Sequence, residues 1–212
     1  MIVYKELLPS LRHVINESDC EKGSFTEETD TALIDFIRIA AKQLIITADL
    51  TLPHILSGEN VKATWKLRPD GLHIAVIPVP DNFLKMVSLY IDSWRYPVTE
   101  LLPVNDSFYW SQYTSAPGVA NGPARPVAFR SDDPKECIIA HATREANKSI
   151  ELKYKITPGK DEAEIDTRYS EALIYLAAWL YLQSIENFDG ANAAHETAVS
   201  FINIVNNKIQ PS

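Results

Sequence analysis

The chain has 212 residues, 46% hydrophobic and 23% charged, with a mean hydropathy of −0.12. That is globular composition, which excludes a disordered tail, a collagen-like rod and a simple coiled coil, and the length allows one domain or two small ones. The net charge is −8 and the pI near 5.1, and no cluster of Lys and Arg occurs, which argues against a grip on a phosphate backbone.

Apolar side chains at Tyr4, Leu7, Leu8, Leu11, Val14 and Ile15 recur at helical spacing. They predict a helix over 4–17 that either starts at Pro9 or bends there, because proline has no N–H to give to the preceding turn. Ser18 to Gly23 is a polar break. Ser24-Phe25-Thr26-Glu27 then reads as a capping box, with Ser hydroxyl and Glu carboxylate answering the free N–H groups of a new helix. That helix runs to about Ala48, with Leu33, Phe36, Ile37, Ala40, Leu44 and Ile45 along one side.

From about 50 to 157 the texture changes: most of the prolines fall here and the apolar runs are short. Lys62–Leu67, Leu72–Ile77, Leu84–Ile91, Arg95–Thr99, Val127–Arg130, Glu136–Ala142 and Ile150–Ile156 read as strands. Arg68-Pro69-Asp70-Gly71 reads as a turn, with Pro setting φ and Gly permitting a positive one. Residues 103–126 carry prolines, glycines and aromatics without periodicity, the mark of a functional loop or of a segment ordered by a partner. Residues 158–166 form an acidic linker. Two helices follow, at about 167–187 and 190–208, split by Asn187-Phe188-Asp189-Gly190, where Asp189 is placed to cap the second. So close a turn makes them an antiparallel hairpin.

This order predicts an α+β fold. The N- and C-terminal helix pairs, 1–50 and 158–212, form one four-helix bundle, and an antiparallel β domain, 51–157, is inserted between them. Alternating β-α-β order is absent, which sets aside a doubly wound parallel sheet.

The residues offer little chemistry. Cys20 and Cys137 are far apart and in no CxxC pattern. The five histidines, at 13, 54, 73, 141 and 195, are never paired at ligand spacing. His195-Glu196 begins like a zinc-protease helix, but Val199 stands where the second ligand belongs. Phosphate-cradling glycine loops and a nucleophile elbow are missing. Asp161, Glu162, Glu164 and Asp166 sit on the polar linker and read as solvated charge beside a helix N-terminus. The expectation is a protein with no catalytic residues, no metal and no cofactor. The first residues lack a signal peptide's basic and apolar regions, so the sequons at Asn16, Asn105 and Asn147 carry little weight. The longest apolar run, Ala172–Leu182, is too short to span a bilayer. Both features point to a cytoplasmic or virion protein.

Two features point to contacts instead. Phe108, Tyr109, Trp110 and Tyr113 suit anchors for a protein partner, a stacking platform for sugar or base, or a loop folded on its own sheet. Ser107 to Gly122 contains no Lys or Arg, which favours protein over nucleic acid. Ala172–Leu182 is apolar on every side and must be buried on every side. Leu173, Leu176 and Leu180 are expected in the bundle core, and Tyr175, Trp179 and Leu182 on an adjacent face covered by a neighbouring subunit.

The order of several segments resembles phage head-to-tail adaptor proteins of the podovirus type, including ring proteins of crAss-like phages. These segments are Tyr4-Lys5-Glu6-Leu7-Leu8, Val14-Ile15-Asn16, Phe25-Thr26-Glu27-Glu28 and the helix Ala32 to Ile37. The centre adds Pro80 to Ser88, Tyr96 to Pro103 and Pro123 to Phe129, and the end Tyr169 to Ala178. The resemblance implies a homo-oligomeric ring of about twelve copies that binds the portal protein and the next tail ring. It implies a helical bundle toward the portal and channel, a β domain turned outward or to the next ring, DNA passing through without specific binding, and no active site. The alternative reading is a non-catalytic carbohydrate- or peptide-binding β module whose helices only stabilise it.

Overall fold

A helix that is apolar around its circumference needs cover on all sides, and in the computed structural model of this protein its own chain supplies it. The structure describes residues 1–18, 27–49, 53–57, 61–69, 71–106, 126–131, 137–143 and 145–207. The chain begins with β1 (Ile2–Val3), α1 (Tyr4–Ser18) and α2 (Glu27–Thr47). The strands β2 (His54–Ser57), β3 (Thr64–Leu67), β4 (His73–Pro78), β5 (Phe83–Ile91), β6 (Leu101–Pro103), β7 (Ala128–Ser131), β8 (Cys137–Thr143) and β9 (Ile150–Ile156) follow. Then come β10 (Glu162–Ala163), a 3-10 turn at Thr167–Tyr169, α3 (Ser170–Ser184) and α4 (Phe188–Asn207). The fold is α+β, in two units: a helical one, Met1–Leu52 with Thr157–Ser212, and a β one, Pro53–Ile156.

In the helical unit α3 packs against α1, α2 and α4. It buries Ala172, Leu173, Ile174, Leu176, Ala177, Ala178 and Leu182, which point in every direction around its axis. α2 meets it with Leu33, Ile37, Ala40 and Leu44, and α1 brings Leu7, Leu8, Leu11 and Ile15 to the same core. α4 buries a narrow strip of small residues, Ala191, Ala194 and Ala198. So narrow a strip serves one neighbour: α4 packs on α3 and the 3-10 turn without comparable packing on α1 or α2. The expected four-helix bundle is thus arranged around α3.

Several local expectations change. α1 starts at Tyr4 and runs through Pro9; Lys5 and Pro9 are both exposed, so solvent can serve the Lys5 carbonyl that proline leaves without an N–H. The acidic linker contains β10, which pairs antiparallel with β1 (Ile2↔Ala163, Val3↔Glu162). Beside this pair the Tyr4 amide donates to the Asp161 carbonyl at 3.0 Å, and the buried Tyr4 hydroxyl donates to the Gly159 carbonyl at 3.4 Å. Burial pushes the Tyr4 pKa up to about 12, so the phenol keeps its proton. Asp166 caps the 3-10 turn by accepting from the Arg168 amide at 3.0 Å, and its carboxylate meets the Arg168 guanidinium at 2.6 Å.

The turn between α3 and α4 is a fused pair of caps. Glu186 has φ +61°; its amide donates to the Gln183 carbonyl at 3.1 Å and that of Asn187 to the Leu182 carbonyl at 2.9 Å. These are the two bonds of a Schellman motif. The Asn187 side chain then accepts from the Gly190 amide at 3.1 Å. Asn187, not Asp189, therefore caps α4. The helix begins at once at Phe188, leaving Asp189 inside the first turn, where its charge still suits the helix dipole.

The β unit has two sheets, ordered β2-β9-β5 and β3-β4-β8-β7-β6. Among the described residues all pairings are antiparallel except β6 with β7, which is parallel and amends the expected all-antiparallel domain. Both sheets feed one core, with Ala75, Ile77 and Ile138 from the larger and Met86, Leu89 and Leu152 from the smaller. Along β9 the alternation is regular, burying Ile150, Leu152 and Tyr154. Register shifts in β5 at Phe83/Lys85 and Met86/Ser88 place buried Met86 and Leu89 an odd number of residues apart. Gly71, at φ +80°, closes the β3–β4 turn. Arg95–Thr99 is not a strand: Val98 alone bridges Leu89, with reciprocal bonds of 2.8 Å, and Pro97 beside it has no N–H to extend the ladder. β2 and β6 were not expected, and β6 ends at Pro103, where the long loop was placed. Phe108, Tyr109, Trp110 and Tyr113 lie outside the described residues. Among the described residues no helix is long and apolar enough to cross a membrane.

Two measurements check these caps. Glu186→Gly removes an exposed side chain from a left-handed position and should raise unfolding free energy by about 1 kcal/mol, read from urea denaturation; a loss would show that the turn does not hold this geometry. For Asp166, Arg168 holds the folded carboxyl down at about 2, below its ordinary value of about 3.9. Its stabilisation is thus full above about pH 4 and lost as pH falls toward about 2. The stability gap between wild type and Asp166→Asn should narrow over that acid range, and a constant gap would show that the pair is not kept in solution.

Candidate functional site

The outward face of α2 combines cations with apolar residues. Ile39 and Ile46 are exposed, at 46% and 38%, and bracket Lys42 at helical spacing. Arg38 lies one turn before Lys42 and is steadied by Asp35 at 3.0 Å. The turn Pro158–Lys160 completes a cleft of about 470 Å³, lined by Arg38, Ile39, Lys42, Pro158, Gly159 and Lys160. That turn is held by the Tyr4 hydrogen bond to Gly159. It also needs glycine, since a Cβ at 159 would come within 3.0 Å of the Glu162 carbonyl oxygen. Lys42 and Lys160 are exposed, and among the described residues neither has an ion pair.

The outward face of α4 is the chemical opposite. Phe188, Val199 and Ile204 are exposed at 61%, 39% and 47%. Asp189 and Glu196 are exposed too, and the helix contains no Lys or Arg. The charge of the whole chain explains the contrast. The helical unit holds eight Lys and Arg against seventeen Asp and Glu, whereas the β unit holds twelve against eleven. The net charge thus belongs to the helical unit, and three of its few cations line one cleft.

The β unit has smaller depressions. One of about 280 Å³ is lined by Leu56, Val61, Ile77, Pro80 and Leu152 among others, and one of about 260 Å³ by Phe83, Met86, Thr99, Leu101 and Arg130 among others. Both fall below the usual size of small-molecule pockets, about 300–1,000 Å³. Among the described residues no three His, Cys, Asp or Glu side chains gather as metal ligands.

The face expected to meet a neighbouring subunit is used inside the chain. Leu182 is fully buried in the helical core. Tyr175 stacks on Phe201 of α4, with ring centroids 5.7 Å apart, and Trp179 lies on His195 of α4 at 4.8 Å. Tyr181 meets Phe36 of α2 edge-on at 5.9 Å. Tyr175, Trp179 and Leu182 are therefore internal contacts, and Leu180, expected in the core, is only partly buried. The cleft was not among the sites expected from the sequence. Its signal was the strip Ile39, Lys42, Ile46, which lies off the core strip of α2, while Lys160 joins it only in the fold. No protein-family model matches the chain, and no curated protein does.

Trp179→Ala should therefore destabilise the folded monomer, by about 2–4 kcal/mol, in thermal or urea unfolding. Wild-type stability in that variant would mean that α4 does not pack on this face.

Proposed function

We propose that this protein is a non-catalytic structural component, the adaptor ring that joins the portal of a tailed phage to its tail and leaves a channel for the genome. It is made in the host cytoplasm and carried in the virion, at the head-to-tail junction. The observation that carries the reading is the pair of unlike outward faces on one helical unit, α2 and α4, both packed on α3 and without comparable packing on each other. A closed ring needs two different patches on every subunit, so that one face of each copy meets the other face of the next. Exposed Ile39, Ile46, Phe188 and Val199 supply the apolar anchors such contacts use. The resemblance of segment order to podovirus-type adaptors supports the same role, with the portal on one side and the next tail protein on the other. Concentration of negative charge in the helical unit suits a wall past which DNA moves without sticking. A carbohydrate- or peptide-binding role for the β unit gains no support from the two small depressions found among its described residues.

The test is reconstitution with the portal encoded in the same genome. Electron micrographs of the mixture should show an added ring of density at one end of the portal, absent from the portal alone. Separate migration of the two proteins at every ratio, with no added density, would overturn the reading.

A further inference from the structure

We infer that the cationic cleft beside α2 receives the acidic outer face of α4 from a second copy of this chain, with Glu196 as the carboxylate that meets Lys42 and Lys160. The inference rests on the ring reading and names the contact between its subunits. Charge selects the pairing. Two helical units, each with an excess of acid over base, repel in most orientations. An α4-to-α4 contact would face Glu196 with Glu196 and provide no cation, and an α2-to-α2 contact would face Lys42 with Lys42. With Asp35 of α2 already paired to Arg38, α2 against α4 is the pairing of these faces that brings the unpaired opposite charges together, and that contact is head-to-tail, so a pair of copies is left with one unused face of each kind.

The apolar residues fit the same arrangement. On α2, Lys42 sits between Ile39 and Ile46, which are about 10 Å apart along the helix axis. On α4, Glu196 lies one turn before Val199, and Val199 lies three turns from Phe188 on the same side. Each face is thus an apolar strip with unpaired charge of one sign, since Asp35 on α2 is already held by Arg38, the pattern of a contact with a dry centre and a charged margin. Among the described residues Glu196, Lys42 and Lys160 have no ion pair within the chain, so the contact breaks none. The turn at Gly159 is held by Tyr4, so Lys160 is presented from a fixed backbone.

The test uses the full chain in sedimentation velocity and mass photometry, at low and high salt. Four proteins are compared: wild type, Lys42→Glu, Glu196→Lys and the double variant. Both positions are exposed, and circular dichroism with a thermal melt verifies that each variant folds. Wild type should self-associate at chain concentrations up to about 0.1 mM, less so as salt rises. Each single reversal should weaken association about tenfold or more, and the double variant, with the pair restored in reverse, should recover most of it. A wild type that stays monomeric, single variants that associate as wild type does, or a double variant no better than the worse single would each overturn the inference. If wild type in any of these cases still adds a ring to the portal, the adaptor reading stands and the subunit contact lies elsewhere. Failure to join the portal is what removes that reading.

Discussion

The apolar circumference of α3 is the constraint from which the helical unit follows. A helix with one oily face can settle against one partner; α3 cannot, and it is buried only when helices from both ends of the chain reach it. The helices before and after the inserted β unit are therefore a single cooperative body, although the segment between them is about as long as the body itself. Bringing its two parts together carries a loop-closure cost, offset by the burial of α3, with Leu173, Leu176 and Ala177 in its core, against helices that include α1 and α2. The short β1–β10 pair and the Tyr4 bonds to Asp161 and Gly159 fasten the join where the later part begins.

The same join shapes the surface. Tyr4 fixes the Gly159 turn, the turn presents Lys160, and Lys160 lies across a cleft from Arg38 and Lys42. A core residue at one end of the chain thereby sets the position of a charge near the other end. On α4 the alanine strip that lets the helix sit close to α3 leaves the larger apolar residues, Phe188, Val199 and Ile204, pointing away from the core. Tight internal packing and outward apolar exposure are thus two results of one distribution of small and large residues along a helix.

How much of this could be read from the sequence depended on the range of the signal. α1, α2, β9 and the α3–α4 hairpin were legible because apolar residues repeated at a helical or strand period over enough positions to stand out. The need for all-round burial at Ala172–Leu182 was legible for the same reason. What covered it was not, because periodicity gives a helix its buried sides without naming the neighbours; hence Tyr175, Trp179 and Leu182 were assigned to a second subunit when α4 and the core were at hand. β2, β6 and β10 are too short to show a period and exist through their partners. The cap of α4 was missed by two residues because Asn187 and Asp189 are both competent acceptors, and only the start of the helix chooses between them. The cleft was legible only in part, through Ile39, Lys42 and Ile46 off the core strip of α2, since Lys160 stands in an acidic stretch and meets Arg38 and Lys42 only after folding.

The fused caps between α3 and α4 have a mechanical consequence. Glu186 alone separates Ile185, which ends one helix, from Asn187, which caps the next, so the hairpin has no slack. α4 cannot slide along α3 without breaking the bonds at Gln183, Leu182 and Gly190 together and dragging His195 across the face of Trp179. A load applied to the outer side of α4 is therefore transmitted as shear into the centre of the unit rather than absorbed by a bending connector. The hairpin is a strut, stiff along its length, and whatever leans on it leans on the core.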